Sequence, residues 1–118
     1  MHQFRRLEVW HDALDLAVRI YSLTDSYPTS ERFGLIAQMR RAVVSVSSNI
    51  AEGAGRGSSK EMARFLRVAV GSICELESQV ELSRKLGYVT DVEALLSHTG
   101  LLKARIKTLE DRFLIPDT

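Results

Sequence analysis

Cysteine occurs once in 118 residues, as Cys74, so no intramolecular disulfide framework holds this chain together. Proline occurs twice, as Pro28 and Pro116, each where a helix should begin or has ended, so neither breaks a helical interior. Uninterrupted apolar runs stop at a few residues, far short of the ~20 that span a bilayer. The opening MHQFRRLEVW contains no apolar secretory segment, and the expectation is a cytoplasmic protein with no membrane role. Net charge is only +1, which excludes a histone-like or tail-driven polyanion binder but leaves room for a local patch. No stretch alternates polar and apolar residues at period two, so no strand is expected.

What is present is helical periodicity. A chain of this length is one domain, residues 1–118, with a single core, and 45% hydrophobic with 26% charged residues is ordinary for a soluble globular protein. A first helix is expected over about residues 7–25. Leu7, Trp10, Leu14, Ala17 and Tyr21 form one apolar line, and Val9, Ala13, Leu16, Ile20 and Leu23 form a second beside it. Together they are wider than one bundle requires. A second helix runs over about residues 30–54 with Ser30 as N-cap; Leu35, Met39, Ala42, Val46, Ile50 and Gly53 line its core face. The glycine-rich elbow from Gly53 to Gly57 then ends it.

Ser58-Ser59-Lys60-Glu61 reads as a capping box that opens a third helix. Met62, Phe65, Ala69, Ile73, Leu76 and Val80 give its core face, and Gly87 stops it. A second capping box, Thr90-Asp91-Val92-Glu93, opens the fourth. Val92, Leu95, Thr99, Leu102, Ile106, Leu109 and Phe113 continue until Pro116, with an interruption at His98-Thr99-Gly100, where the glycine costs about 1 kcal/mol relative to alanine. Four amphipathic helices with short connections bury their stripes together, so the expected fold is all-α, an antiparallel up-down-up-down four-helix bundle. Val43, Val44, Leu66 and Val70 beside the core lines add to the apolar excess of the first helix, and such an excess points to a homo-oligomer.

These residues resemble a known family, the four-helix-bundle proteins encoded within intervening sequences of 23S rRNA genes. The resemblance rests on Glu31-Arg32-Phe33-Gly34-Leu35, Gln38, Arg40-Arg41-Ala42, Ser45, Asn49 through Gly53 and Gly55-Arg56. It continues in Arg64-Phe65-Leu66, Ala69, Gly71-Ser72, Glu75 and Glu77, with Val9-Trp10 before and Leu86-Gly87-Tyr88 after. It implies a bacterial cytosolic bundle that assembles as a ring-like homopentamer, with no established activity for most members. A related branch is the accessory protein of diversity-generating retroelements, which partners a reverse transcriptase and binds nucleic acid.

Between Arg32 and Arg67 the sequence has seven cations against two carboxylates. Lys60, Arg64 and Arg67 form one stripe on the first turns of the third helix, and Arg56 precedes them. With Arg40 and Arg41, they are the candidate contacts to an RNA or DNA backbone. The alternative is internal pairing, with Glu52 level with Lys60 and Arg40 or Arg41 near Glu75. Only Phe65 interleaves with the stripe and it faces the core, so base stacking is not expected. The elbow fails GxxxxGK[ST] and GxGxxG and follows a helix, so it is a turn and not a nucleotide loop.

His2, His11 and His98 are dispersed, and His11 with Asp15 has no third ligand. The di-iron bundle signature, Glu-x-x-His on two helices, is not met, so neither a metal nor a cofactor is expected. Cys74 next to Ile73 and Leu76 is read as a buried structural thiol. Asn49, Glu52, Glu75 and Glu77, with Arg41, are read as a fold-specifying polar cluster between the second and third helices. The resulting reading is a non-enzymatic homo-oligomeric scaffold that offers a basic patch to RNA or DNA. The alternative is an adaptor that docks a partner protein through its apolar helix faces.

Overall fold

The computed structural model describes residues 3–114. After a 3-10 turn at Phe4–Arg6 come α1 (Glu8–Thr24), a second 3-10 turn (Thr29–Glu31), α2 (Leu35–Gly55), α3 (Ser59–Lys85) and α4 (Glu93–Leu114). No described residue is in a strand. The four helices pack as neighbours in the order α1–α2–α3–α4, with a thinner seam closing α4 back on α1. The order of contacts sets the directions. Gly53 lies against Phe65, Ser45 bonds Ser72 and Met39 meets Ser83, so positions that descend along α2 ascend along α3. Glu77 with Lys103 and Arg67 with Glu110 make α3 and α4 antiparallel in the same way. Arg19 with His98 and Asp12 with Arg105 do so for α1 and α4.

The core is made by the lines that periodicity selects. Met39, Val46, Ile50, Met62, Ile73, Leu76, Leu102 and Ile106 are fully buried. Large aliphatic side chains of this kind each contribute about 1.5–3 kcal/mol by leaving water. On α1 the two apolar lines separate. Val9, Ala13, Leu16 and Ile20 are buried, while Leu14, Val18 and Tyr21 face outward at 37%, 71% and 42% exposure. Val43, Leu66 and Val70 prove to be core residues of this one chain, and of that expected excess only Val44 faces solvent. Their burial follows from geometry: α2 and α3 have packed neighbours on two sides, so their apolar arcs are wider than one stripe.

Several helix ends differ from the sequence expectation. Ser30 does not cap α2; it lies in the 3-10 turn, and the helix begins five residues later, behind Gly34. The cap is supplied from further back, where the Glu31 carboxylate accepts from the Leu35 N–H at 3.1 Å. An acidic group at a helix start also suits the macrodipole. Thr90 does not cap α4; Asp91 accepts from the Glu93 N–H at 3.3 Å. Gly100 does not interrupt α4, which runs through it unbroken. A glycine weakens a helix interior by about 1 kcal/mol, and the burial of Leu95, Thr99, Leu102 and Ile106 on one face outweighs it.

Other ends are as expected. Ser58 accepts from the Glu61 N–H at 3.1 Å and caps α3. Gly57 at φ 86° and Gly87 at φ 81° take the left-handed conformation that side chains resist. Gly53 has a different task from termination: it lies inside α2 against Phe65 and Met62. The expected stop at Pro116 lies outside the described residues, as does His2.

Candidate functional site

The elbow between α2 and α3 gathers four of the six cations that the sequence singled out, Arg56, Lys60, Arg64 and Arg67, and the structure gives three of the four a partner. Arg56 bonds Glu52 at 2.7 Å, one turn back on α2. Arg64 bonds Glu61 at 2.8 Å on α3, and Arg67 reaches across to Glu110 of α4 at 3.0 Å. The guanidinium groups of Arg56 and Arg64 also lie over the Phe65 ring, at 5.0 and 4.5 Å from its centroid. Phe65 is buried, yet its π-face supports two cations. Its burial therefore does not remove it from the patch, as the sequence reading assumed. The hydrogen bond and charge of Arg64 hold the Glu61 carboxyl below its usual range, and Glu61 raises the guanidinium in return.

Lys60 and Arg41 are exposed and have no ion-pair partner among the described residues. Arg40 stands at the opposite end of α2. It donates to Thr24, to the Tyr21 carbonyl and to Asp25, and it lies over the Tyr21 ring at 4.5 Å. It thus closes the C-terminal end of α1 and is no part of the elbow. The specific pairs expected from a simple hairpin, Glu52 with Lys60 and Arg40 or Arg41 with Glu75, do not form. Glu52 and Glu75 take one-turn partners, Arg56 and Gln79, and Arg40 turns to the end of α1.

The expected polar cluster is dispersed. Asn49 donates to the carbonyl and hydroxyl of Ser45, whose hydroxyl meets that of Ser72 at 2.9 Å. This is a small polar bridge between α2 and α3. Glu52 turns to Arg56, Glu75 accepts from Gln79 at 3.3 Å, and Arg41 faces solvent. Glu77 looks the other way, toward α4, where Thr99 and Lys103 donate to it at 2.8 and 2.6 Å. That bond holds the Lys103 ammonium above its ordinary pKa. Cys74 is exposed, not buried, with the Lys103 Nζ 4.0 Å from its sulfur. Ile73 and Leu76 face the core, and residue 74, about 100° around from Ile73 on a 3.6-residue helix, does not.

Two constellations escaped the sequence. His98 Nε2 meets Asp12 at 2.8 Å, and its Nδ1 meets Arg19 at 3.3 Å. Because arginine can only donate, Nδ1 accepts and Nε2 carries the proton toward Asp12. Arg105 stands 3.6 Å from the other Asp12 oxygen. These residues close the α1–α4 seam. His11 instead reaches the Arg5 carbonyl at 2.6 Å, so it does not pair with Asp15. The second is Tyr88, which donates to Glu31 at 2.9 Å while its ring tilts against buried Tyr27. That bond and partial burial raise the Tyr88 hydroxyl pKa, and burial raises that of Tyr27. No local signal in one sequence announces partners 86 residues apart.

Among the described residues no three His, Cys, Asp or Glu side chains gather as a metal site. None of the described helices is long and apolar enough to cross a membrane. No curated protein matches the chain. Residues 5–108 match the family described as 23S rRNA-intervening sequence protein, a span that takes in the α1 lines, the elbow and the α3–α4 contacts, and the chain belongs to that family.

Proposed function

We propose that the chain is a non-enzymatic, self-associating helical scaffold that presents the α2–α3 elbow of each copy to the phosphate backbone of RNA or DNA. The observation that carries the first half is the outward line of Leu14, Val18 and Tyr21 on α1. Apolar side chains repeating at one-turn intervals on a solvent face are what a second copy covers. Closed symmetry is the usual outcome, and a ring is the form suggested by the resemblance described above.

The nucleic-acid half is supported by Arg56, Lys60, Arg64 and Arg67 standing within three turns of one another. Exposed ion pairs of the Arg56–Glu52 and Arg64–Glu61 kind contribute little because solvent screens them, so a phosphate competes with them on nearly equal terms. Repetition around an assembly then turns a weak contact into a firm one.

The test is size-exclusion chromatography with light scattering and absorbance at two wavelengths, at low and high salt, on wild type and on Val18→Glu. The reading requires an oligomer that Val18→Glu dissociates. It further requires bound nucleic acid that salt removes and that the Arg64→Glu, Arg67→Glu double variant never acquires. A wild-type monomer overturns the scaffold. A clean oligomer that ignores added RNA and DNA overturns the backbone contact and leaves the adaptor reading, in which a partner protein occupies the apolar faces.

A further inference from the structure

A second feature lies at the same end of the bundle as the elbow, on the side where the start of α1 faces the last three turns of α4. It is a groove of about 390 Å3, within the ~300–1,000 Å3 typical of small-molecule sites. Its floor is apolar, with Leu7 and Leu109, and its rim carries Arg6, Arg105 and Arg112 against a single carboxylate, Glu8.

The arginines distinguish this groove from an ordinary seam. Nearly every other arginine of the described chain is committed. Arg40, Arg56, Arg64, Arg67 and Arg84 form ion pairs, Arg19 bonds His98, and Arg5 and Arg32 lie over phenylalanine rings. Among the arginines of the described residues only the side chains of Arg6, Arg41 and Arg112 have no hydrogen bond, ion pair or ring contact, and two of these share this one groove. The third rim arginine, Arg105, is held loosely, 3.6 Å from Asp12. A guanidinium takes a carboxylate or phosphate in a two-pronged bond, and three converging on an apolar floor select an anion that brings apolar surface with it. The α1 start adds to the same potential, since Leu7 provides no side-chain cap for the first N–H groups.

We propose that this groove binds a small amphipathic anion, a single carboxylate or phosphate head on an apolar body, with Arg6 and Arg112 gripping the head and Leu7 and Leu109 covering the body. None of the groove's lining residues belongs to the elbow stripe of Arg56, Lys60, Arg64 and Arg67.

The experiment is isothermal titration of the purified protein with octanoate, with octyl phosphate and with inorganic phosphate. Wild type takes up one amphiphile per chain, and the tighter of the two identifies the head group. Arg6→Ala with Arg112→Ala weakens uptake by roughly tenfold or more, the loss of charge-assisted bonds. Ala104→Trp, which fills the groove from an exposed position and keeps every rim charge in the sequence, abolishes it. Both variants keep the wild-type circular dichroism. The proposal is overturned if wild type shows no saturable uptake, if either variant binds as wild type does, or if inorganic phosphate binds as tightly as octyl phosphate.

Discussion

Alanine in place of Gly53 and alanine in place of Gly100 are the same chemical change in two helices, and their surroundings give them opposite signs. A Cβ at Gly53 stands 2.8 Å from the Phe65 Cβ and 3.2 Å from the Met62 sulfur. The Phe65 Cβ is fixed to backbone and cannot swing away, so α2 and α3 must part. Overpacking of this kind costs about 1–3 kcal/mol, more than the ~1 kcal/mol that alanine gains in helix propensity. Gly53→Ala therefore lowers the melting temperature. At Gly100 an added Cβ meets nothing within 4 Å. Gly100→Ala stabilises by about 0.5–1 kcal/mol, read as a higher urea midpoint.

Lys103 gives a pH prediction on the same scale. Its folded pKa lies above the unfolded value of 10.5 because Glu77 bonds the charged form. The stabilisation is thus complete below the unfolded value and is lost as pH rises through the folded one. The stability difference between wild type and Lys103→Gln is expected to be constant through neutral pH and to shrink above about pH 10.5, measured by chemical unfolding at each pH.

At the scale of the element, helix starts separate what local chemistry decides from what it does not. The Ser58 cap was legible because its acceptor and its N–H partner lie three residues apart in sequence. Ser58→Ala is expected to cost about 1 kcal/mol, read as a lower urea midpoint and faster amide exchange in the first turn of α3. The start of α2 was not legible. Ser30 has the right side chain, but the 3-10 turn at Thr29–Glu31 intervenes and Glu31 caps from outside the helix, at the same time accepting from Tyr88. A long-range hydrogen bond thus fixes where a local signal takes effect. The same holds on α1, where two apolar lines at equal spacing looked equivalent; packing buried Val9, Ala13, Leu16 and Ile20 of one, half-buried Leu7, Trp10 and Ala17 of the other and left its Leu14 and Tyr21 exposed.

On the scale of the whole molecule, the faces left apolar and the faces left charged should answer differently to salt. An assembly built on Leu14, Val18 and Tyr21 is driven by apolar burial and is expected to keep its size as salt rises from about 50 mM to about 500 mM. Nucleic acid held at the elbow is expected to leave over the same range, because counterion release makes backbone binding fall steeply with salt. Light scattering with absorbance reads both in one run. Loss of assembly at high salt would instead place ion pairs at the subunit contact.

Helix number, the core lines of α2, α3 and α4, the elbow and the stop at Gly87 follow from the sequence alone, because each depends on spacing or turn chemistry within a few residues. Tertiary structure decided the rest. It exposed Cys74, split Asn49, Glu52, Glu75 and Glu77 among separate partners, and gave Arg40 to the end of α1. It also brought Asp12 to His98, and Arg6 to Arg112 across one groove. Where no carboxylate stands one turn away, as for Arg40, Arg67 and Lys103, a cation takes the partner that the packed helices bring within reach, and the crossing of helices rather than the order of residues makes that choice.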